Sequence, residues 1–475
     1  MKSILVSRSF TSAALLAGVF STAPAFAFGD TDRISEHASE GLTTPVGTGN
    51  VGLGYALKVE ASPYKDANSR VELLPLFSYE GERLFLHSSR IGLKLLDTPE
   101  QRLDVFIDKR LEGFPLKSPP ASLAGMATRQ SSTDAGLSYL YRQPWGTLRA
   151  AVLKGLSSDQ KGFEARVGYS QPMSSGRWTL TPDVSLSYRS AKLNDYYYGV
   201  RASEATPGRP AYSAGAGLNA SVGLYASYQT SQNWRLLGGA TATLLSGNIQ
   251  ESPVVSKRVL PAVYVGATYD FGASRPRSAE AGSGSPTYIK LLDGASTADG
   301  CHLIKILTAR CFSTTANDRT NIQGIQIGKP VVENFNDWPL DFVGYVGLTR
   351  HDERGLKANG LQADVFIKAY YYGFPWRDKV KTRLGMGVGL SLAQRVPYVE
   401  SNKATNSSDP SSRLLHYLDP TIDVSVGDII GSRALKDTYF GLGVSHRSGI
   451  FGSSRLFGNV NGGSNYIYSY VETTF

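Results

Sequence analysis

Two runs of this chain alternate side chains along an extended backbone and end in phenylalanine: residues 262–271 (AVYVGATYDF) and 466–475 (YIYSYVETTF). Alternation at period two sends successive side chains to opposite faces of a strand. In the first run Val263, Val265, Ala267, Tyr269 and Phe271 share one face, and Gly266, Thr268 and Asp270 the other. Similar runs recur from about residue 50: 51–60, 70–79, 83–95, 102–111, 133–142, 146–156, 162–171, 177–188, 216–228 and 234–245. A second series follows at 287–292, 321–329, 340–349, 361–372, 382–394, 414–426, 438–448 and 465–475. No helical period of 3.6 persists through the first series. The fold class expected is all-β.

Alternating strands that close on a terminal aromatic look like the last strands of bacterial outer-membrane barrels. One of them in mid-chain predicts two transmembrane antiparallel β-barrels in series, of about ten to twelve strands and then about eight. The alternative is a single barrel of about eighteen to twenty strands. Residues 272–286 (GASRPRSAEAGSGSP) lack alternation and are rich in Gly, Ser, Pro and Ala, as a linker is. The expected division is a leader at 1–27, a first barrel at 28–272, a linker at 273–286 and a second barrel at 287–475.

The leader is expected from Lys2 and Arg8, the short apolar stretch 12–20 and the small-x-small site Ala25-Phe26-Ala27. That apolar stretch falls short of the ~20 residues of a spanning helix. A mean hydropathy of −0.18 resembles that of a soluble protein. A membrane barrel has the same profile, because only alternate residues meet lipid. The net charge of +9 includes Lys2 and Arg8 and fits lumen and loop residues. Export excludes nucleic acid as a partner and favours outer-membrane lipid and lipopolysaccharide. Cys301 and Cys311 are the two cysteines, and an oxidising route allows a disulfide closing a small loop. No His/Cys cluster surrounds them, and no metal or cofactor motif appears.

The first series carries Asn194-Asp195-Tyr196-Tyr197-Tyr198-Gly199-Val200, Glu204-Ala205, Arg209, Tyr212, Asn233-Trp234 and Ser252-Pro253-Val254-Val255 in that order. Together these motifs resemble the MipA/OmpV outer-membrane proteins, over about residues 51–271. The resemblance implies an outer-membrane barrel with an envelope scaffold or maintenance role, and a lytic transglycosylase and a murein synthase as partners. It implies no catalytic residues. The residues themselves read as a loop or strand end at 194–200, with the tyrosines at the membrane–water boundary or as a stacked ligand platform. The clusters Tyr370-Tyr371-Tyr372 and Phe374-Pro375-Trp376 fit an interfacial girdle.

In the second series, parity places Phe440, Leu442, Val444, His446 and Ser448 on one face of residues 438–448. A polar pair on a lipid face is costly unless it lies at the interface, where it would anchor the barrel, or serves a purpose. His446 could take the hydroxyl proton of Ser448 in acyl transfer. The arrangement resembles the lipid A 3-O-deacylases of the PagL type, eight-stranded barrels with a His-x-Ser strand and an acidic partner on the last strand. The matching residues are 446–452 (HRSGIFG) and 461–465 (NGGSN). The resemblance implies an ester hydrolase with Ser448 as nucleophile and His446 as base. Two departures stand out. Asn465 occupies the place of the acid, and Gly449 that of an oxyanion-hole asparagine. Glu472 is out of phase with Asn465 and cannot replace it. Asn465 can orient an imidazole through its amide oxygen but supplies no charge. Asp419, Asp423 and Asp428 read as lumen or turn residues, and His87, His302, His351 and His416 as scattered surface or lumen residues.

Overall fold

The computed structural model of the chain describes residues 50–114, 119–156, 160–273, 286–314, 318–407 and 410–475. The leader and nearly all of the expected linker lie outside the described residues.

The alternating segments pair into two separate antiparallel sheets. Among the described residues the first sheet has thirteen strands, from Asn50–Glu60 to Val259–Ala273. These two strands pair with each other, and Trp178–Arg189 pairs with Gly217–Gln229, so the sheet closes. The short Met173–Ser175 only extends a hairpin, which leaves twelve strands in the wall. The second sheet is a closed barrel of eight strands in which Tyr288–Ser296 pairs with Gly463–Thr474. The single-barrel alternative is thereby set aside. No helix among the described residues is long and apolar enough to cross a membrane.

Parity sets the faces. On Gln101–Arg110 the side chains of Arg102, Asp104, Phe106, Asp108 and Arg110 are buried in the lumen, while Val105 and Ile107 are 41% and 48% exposed on the wall. On Gly360–Tyr371, Gln362, Asp364, Phe366, Lys368 and Tyr370 are buried and Leu361 and Val365 are exposed. Charges inside are paired, as burial demands. In the front barrel Arg110 meets Asp134 at 2.5 Å and Glu164 at 2.6 Å. In the rear barrel Arg383 meets Asp423 at 2.8 Å and Glu472 at 2.7 Å, and Lys368 meets Asp419 at 2.5 Å. Asp419 and Asp423 are thus lumen residues. Asp428, read as a lumen or turn residue, lies instead in the short helix Val426–Ile430 and accepts from the Lys381 N–H. Tyr370 is fully buried in the lumen rather than in a girdle, whereas Tyr371 and Trp376 are exposed.

One segment departs from the pattern. Residues 83–95 read as a single strand, but they form two, Leu84–His87 and Arg90–Asp97, around a turn at Ser88 with φ 49°. His87 bonds Glu80 at 2.5 Å, and Arg90 bonds Asp108, so both ends of the turn are anchored in the lumen. The shortened Leu84–His87 pairs with only Ser78, Tyr79 and Glu80 of Arg70–Glu80. The Ser88 N–H adds one bond to the Phe77 carbonyl at 2.7 Å, and among the described residues 70–76 pair with no strand of their own barrel on this side.

The rear barrel fills the opening. Its connection between Thr438–Ser448 and Gly463–Thr474 reaches across, and the Leu73 N–H donates to the Ser453 carbonyl at 3.0 Å. Arg455 enters and bonds the Glu72 carboxylate at 3.0 Å and also Glu60. Leu456 and Phe457 join a buried cluster with Ala56, Leu74, Leu76, Tyr225, Leu237 and Tyr264.

Candidate functional site

Two regions concentrate the side chains singled out in the sequence. The first is a lid over the end of the front barrel where its long connections gather. Ala191–Tyr198 is an α-helix, not the loop or strand end expected. Its Leu193, Tyr197 and Tyr198 are buried with Tyr64, Phe114, Leu123, Val200, Ile249 and Val254. The tyrosines therefore pack a lid core instead of anchoring in the membrane boundary. Hydroxyls at such positions need partners, and the Tyr197 hydroxyl lies 3.2 Å from Ser132 Oγ. The remaining motif residues tie the lid together. Asn194 accepts from Arg189 at 2.9 Å and donates to the Gly215 carbonyl. Glu204 receives Arg129 at 2.7 Å and the N–H groups of Ala127 and Arg201. Arg209 donates to the carbonyls of Ser122, Ala124 and Glu204. Burial works against ionising Glu204, but Arg129 and the two backbone donors outweigh it and hold the carboxyl near about 2.

The second region lies on the outer wall of the rear barrel. The strands Thr438–Ser448 and Gly463–Thr474 pair so that His446 stands opposite Asn465. His446 Nδ1 lies 2.6 Å from Asn465 Oδ1. The Asn465 Nδ2 donates to the Cys301 carbonyl at 3.3 Å, which leaves Oδ1 as the acceptor for the imidazole. The neutral ring then carries its proton on Nδ1 and its lone pair on Nε2. Cys301 and Cys311 are disulfide-bonded with Cα atoms 5.7 Å apart. Their loop, with the helix Leu303–Leu307, packs over Val444 and Ile467 on the outer face.

Ser448 shares that face but is not joined to His446 by a hydrogen bond among the described residues; its Oγ accepts from the Ile450 N–H at 3.1 Å. The Gly449 N–H is held by the Gly462 carbonyl at 3.0 Å. A Cβ at 449 would stand 2.0 Å from the Val460 carbonyl oxygen, so an asparagine does not fit there. Glu472 points inward to Arg383 and Tyr345, as its phase requires. Ile450 and Phe451 both adopt left-handed backbone, φ 51° and 55°, costly for a β-branched and an aromatic residue.

Sequence reasoning missed His416. It is paired in register with Ser448 and hydrogen-bonds the Tyr55 hydroxyl of the front barrel at 3.0 Å, with Phe77 stacked on its ring. His416 and Ser448 thus face the junction of the barrels. The signal was the shared outward parity of 416 and 448, which pairing alone makes meaningful. His351 is a buried lumen residue, bonded to Gln362 at 2.8 Å. Among the described residues no group of three or more His, Cys, Asp or Glu is arranged to hold a metal.

The family model described as MltA-interacting protein MipA matches residues 51–271. The match thus covers the front barrel. The match ends within the strand Val259–Ala273 and takes in the lid. The MltA-interacting protein of Escherichia coli is 28% identical over 225 residues, covering 47% of this chain and 91% of that protein. The outer membrane protein Omp26La of Vibrio anguillarum is 27% identical over 192 residues, 40% of this chain and 75% of that protein. OmpV of Vibrio cholerae is 31% identical over 134 residues, 28% of this chain and 52% of that protein. With the two barrels, these relatives place the chain in the outer membrane.

Proposed function

We propose that the protein is an outer-membrane scaffold for envelope maintenance, whose front barrel holds a murein-processing enzyme of the kind named in the description of its relative. The match over 51–271 carries this reading. The interior supports it. Both lumens are occupied by paired charges and buried tyrosines, and a lid and the inserted Arg455 further fill the front one. Such interiors suit a platform better than a pore. Affinity capture from cross-linked envelopes tests the reading. A lytic transglycosylase should be retained by the whole protein and lost when residues 51–271 are replaced by an unrelated barrel. Capture without any murein enzyme would remove the scaffold role.

A second reading is favoured by one observation, the fixing of Asn465 between the Cys301 carbonyl and His446 Nδ1. In this reading the rear barrel hydrolyses an acyl ester of lipid A or a phospholipid. Ser448 Oγ, after rotating away from the Ile450 N–H, attacks the ester carbonyl, and His446 Nε2 takes the hydroxyl proton. That proton passes to the leaving alkoxide, and water then releases the acyl chain from Ser448. Ser448→Ala and His446→Ala should each abolish acyl release while the barrel stays folded. Asn465→Glu should keep or raise it, because a carboxylate stabilises the imidazolium. Mass spectra of lipid A and phospholipids from cells with and without the protein decide the matter; identical spectra would leave only the scaffold.

A further inference from the structure

The barrels lean together over one stretch and leave a cleft of about 1380 Å³ beside it. The front wall contributes Ile91 and Ile107, and the rear wall Val346, Val365 and Leu392, all outward-facing and about half exposed. These residues lie on membrane-spanning strands, so the walls are apolar over the depth of the bilayer. The volume exceeds the ~300–1,000 Å³ of ordinary small-molecule pockets and suits several acyl chains side by side.

The cleft is not apolar throughout. At the end where the long connections gather, Lys109 lines it from the front barrel and Arg413 from the rear. Lys109 follows the outward parity of Ile107, and its Nζ donates to the Ser131 carbonyl at 3.4 Å. Arg413 is exposed, and its Nε donates to the Ala393 carbonyl at 2.9 Å. Neither makes an ion pair among the described residues; Asp134, the acid acting on Lys109, is already bonded to Arg110. Of the other charges lining the cleft, Arg455 is matched by Glu72, Arg129 by Glu204, Glu112 by Arg189 and Asp108 by Arg90, while Arg70 donates to the Gly113 carbonyl and lies in the field of Glu60 and Glu72. Two cations that make no ion pair among the described residues, one on each barrel, thus stand above an apolar slot. In outer-membrane barrels the longer loops lie on the outer side, so this rim is level with the headgroups of the outer leaflet.

We propose that the cleft between the barrels is a binding site for a phosphorylated, multiply acylated lipid of the lipid A class, with its phosphate held between Lys109 and Arg413 and its chains against Ile107, Val346 and Val365. Neither His446 nor Ser448 lines the cleft, and the site stands whether or not that pair is catalytic. Charge-assisted contacts to phosphate from two sides give both affinity and orientation.

The test uses the whole protein in detergent, with native mass spectrometry and equilibrium titration as readouts. The probes are bisphosphorylated lipid A, the same lipid A stripped of phosphate, and phosphatidylglycerol. The wild type should bind bisphosphorylated lipid A about tenfold or more tightly than the stripped form, the scale of one charge-assisted contact. Lys109→Gln with Arg413→Gln should erase that preference. Val365→Trp should weaken both forms of lipid A by filling the slot. Lys192→Gln, on the exposed lid surface, should change nothing, and heat-modifiable migration should show every variant folded. Binding indifferent to phosphate, or a preference that survives the double substitution, would overturn the proposal. Equal or tighter binding of phosphatidylglycerol would overturn the assignment to lipid A.

Discussion

The two barrels solve one problem in different ways. Eight strands enclose a lumen that side chains can fill by themselves, and twelve enclose a wider one. The rear barrel accordingly packs most of its interior from its own wall, with Val399 and Glu400 of the helix Tyr398–Ser407 added at one end. Tyr345, Tyr370, Tyr417, Tyr468 and Tyr470 are almost fully buried around Lys290, Lys368, Arg383 and Glu472. The front barrel brings in material from outside its wall. A lid built on Leu193, Tyr197 and Tyr198 closes one end, and Arg455, Leu456 and Phe457 arrive from the neighbouring barrel. The wider barrel also has the irregular wall, where the turn at Ser88 shortens one strand. Width thus makes the front barrel dependent on its lid and its neighbour, while the narrow barrel is self-sufficient.

The largest effect should come from the shared residue. Arg455→Ala would leave the Glu60 and Glu72 carboxylates in the front lumen without their main partner. Removing one member of a buried ion pair costs about 3–5 kcal/mol. Chemical unfolding of the whole protein should show the front barrel losing stability by that order while the rear barrel is unchanged. Equal loss in both, or none in either, would break the comparison. The same reasoning applies to residues 28–272 expressed alone. They should give a heat-modifiable band, because the strands close without the rear barrel, but with a lower unfolding midpoint than in the whole chain. A fragment that never resists detergent would show that the front barrel is not an independent unit.

The disulfide should matter less and only to the rear barrel. Closing a loop of about ten residues stabilises by roughly 2–3 kcal/mol in the chain-entropy model. Cys301→Ala with Cys311→Ala should lower rear-barrel stability by that order and loosen the Asn465 amide, visible as altered His446 ring nitrogen resonances. Unchanged resonances would mean that the strand pairing alone holds Asn465.

The smallest effect belongs to the lid. Glu204 is held near about 2, below its ordinary value, so it contributes stability above the ordinary carboxylate range and loses it as pH falls through about 2. Glu204→Gln should cost about 1–3 kcal/mol through weakened bonds to Arg129 and the lid backbone. The substitution should also flatten the acid end of the lid's unfolding profile. An unchanged acid profile in the Gln variant would place the lid's acid sensitivity elsewhere, in Glu112 for instance. Burial likewise works against ionising Glu112, yet Arg189 and Arg110 bring it down to about 2.

Much of this was legible in the residues, and the limits fall at identifiable positions. Alternation alone located most of the strands and put His446 and Ser448 on one outward face with Glu472 on the other. These readings succeed because the period of two is a property of the backbone, present in every few residues. The same rule failed at residues 83–95, where alternation continues straight through a turn. Nothing in the pattern distinguishes one long strand from two that fold back. It failed again at 194–200, where three tyrosines could serve a membrane boundary or a core, and only the partners Tyr64, Phe114 and Val254 decide.

What the sequence determined by itself is therefore the class, two series of strands and the inward or outward sense of each side chain. Tertiary structure decided which faces meet. Pairing of Leu414–Ser425 with Thr438–Ser448 brings His416 beside Ser448. The contact of the barrels sets Tyr55 against His416, Arg455 against Glu60 and Glu72, and Lys109 across a cleft from Arg413. The physical reason is range. Side-chain alternation is written residue by residue, whereas closure, strand shortening and barrel-to-barrel contact depend on groups as much as 395 positions apart, which no local period encodes.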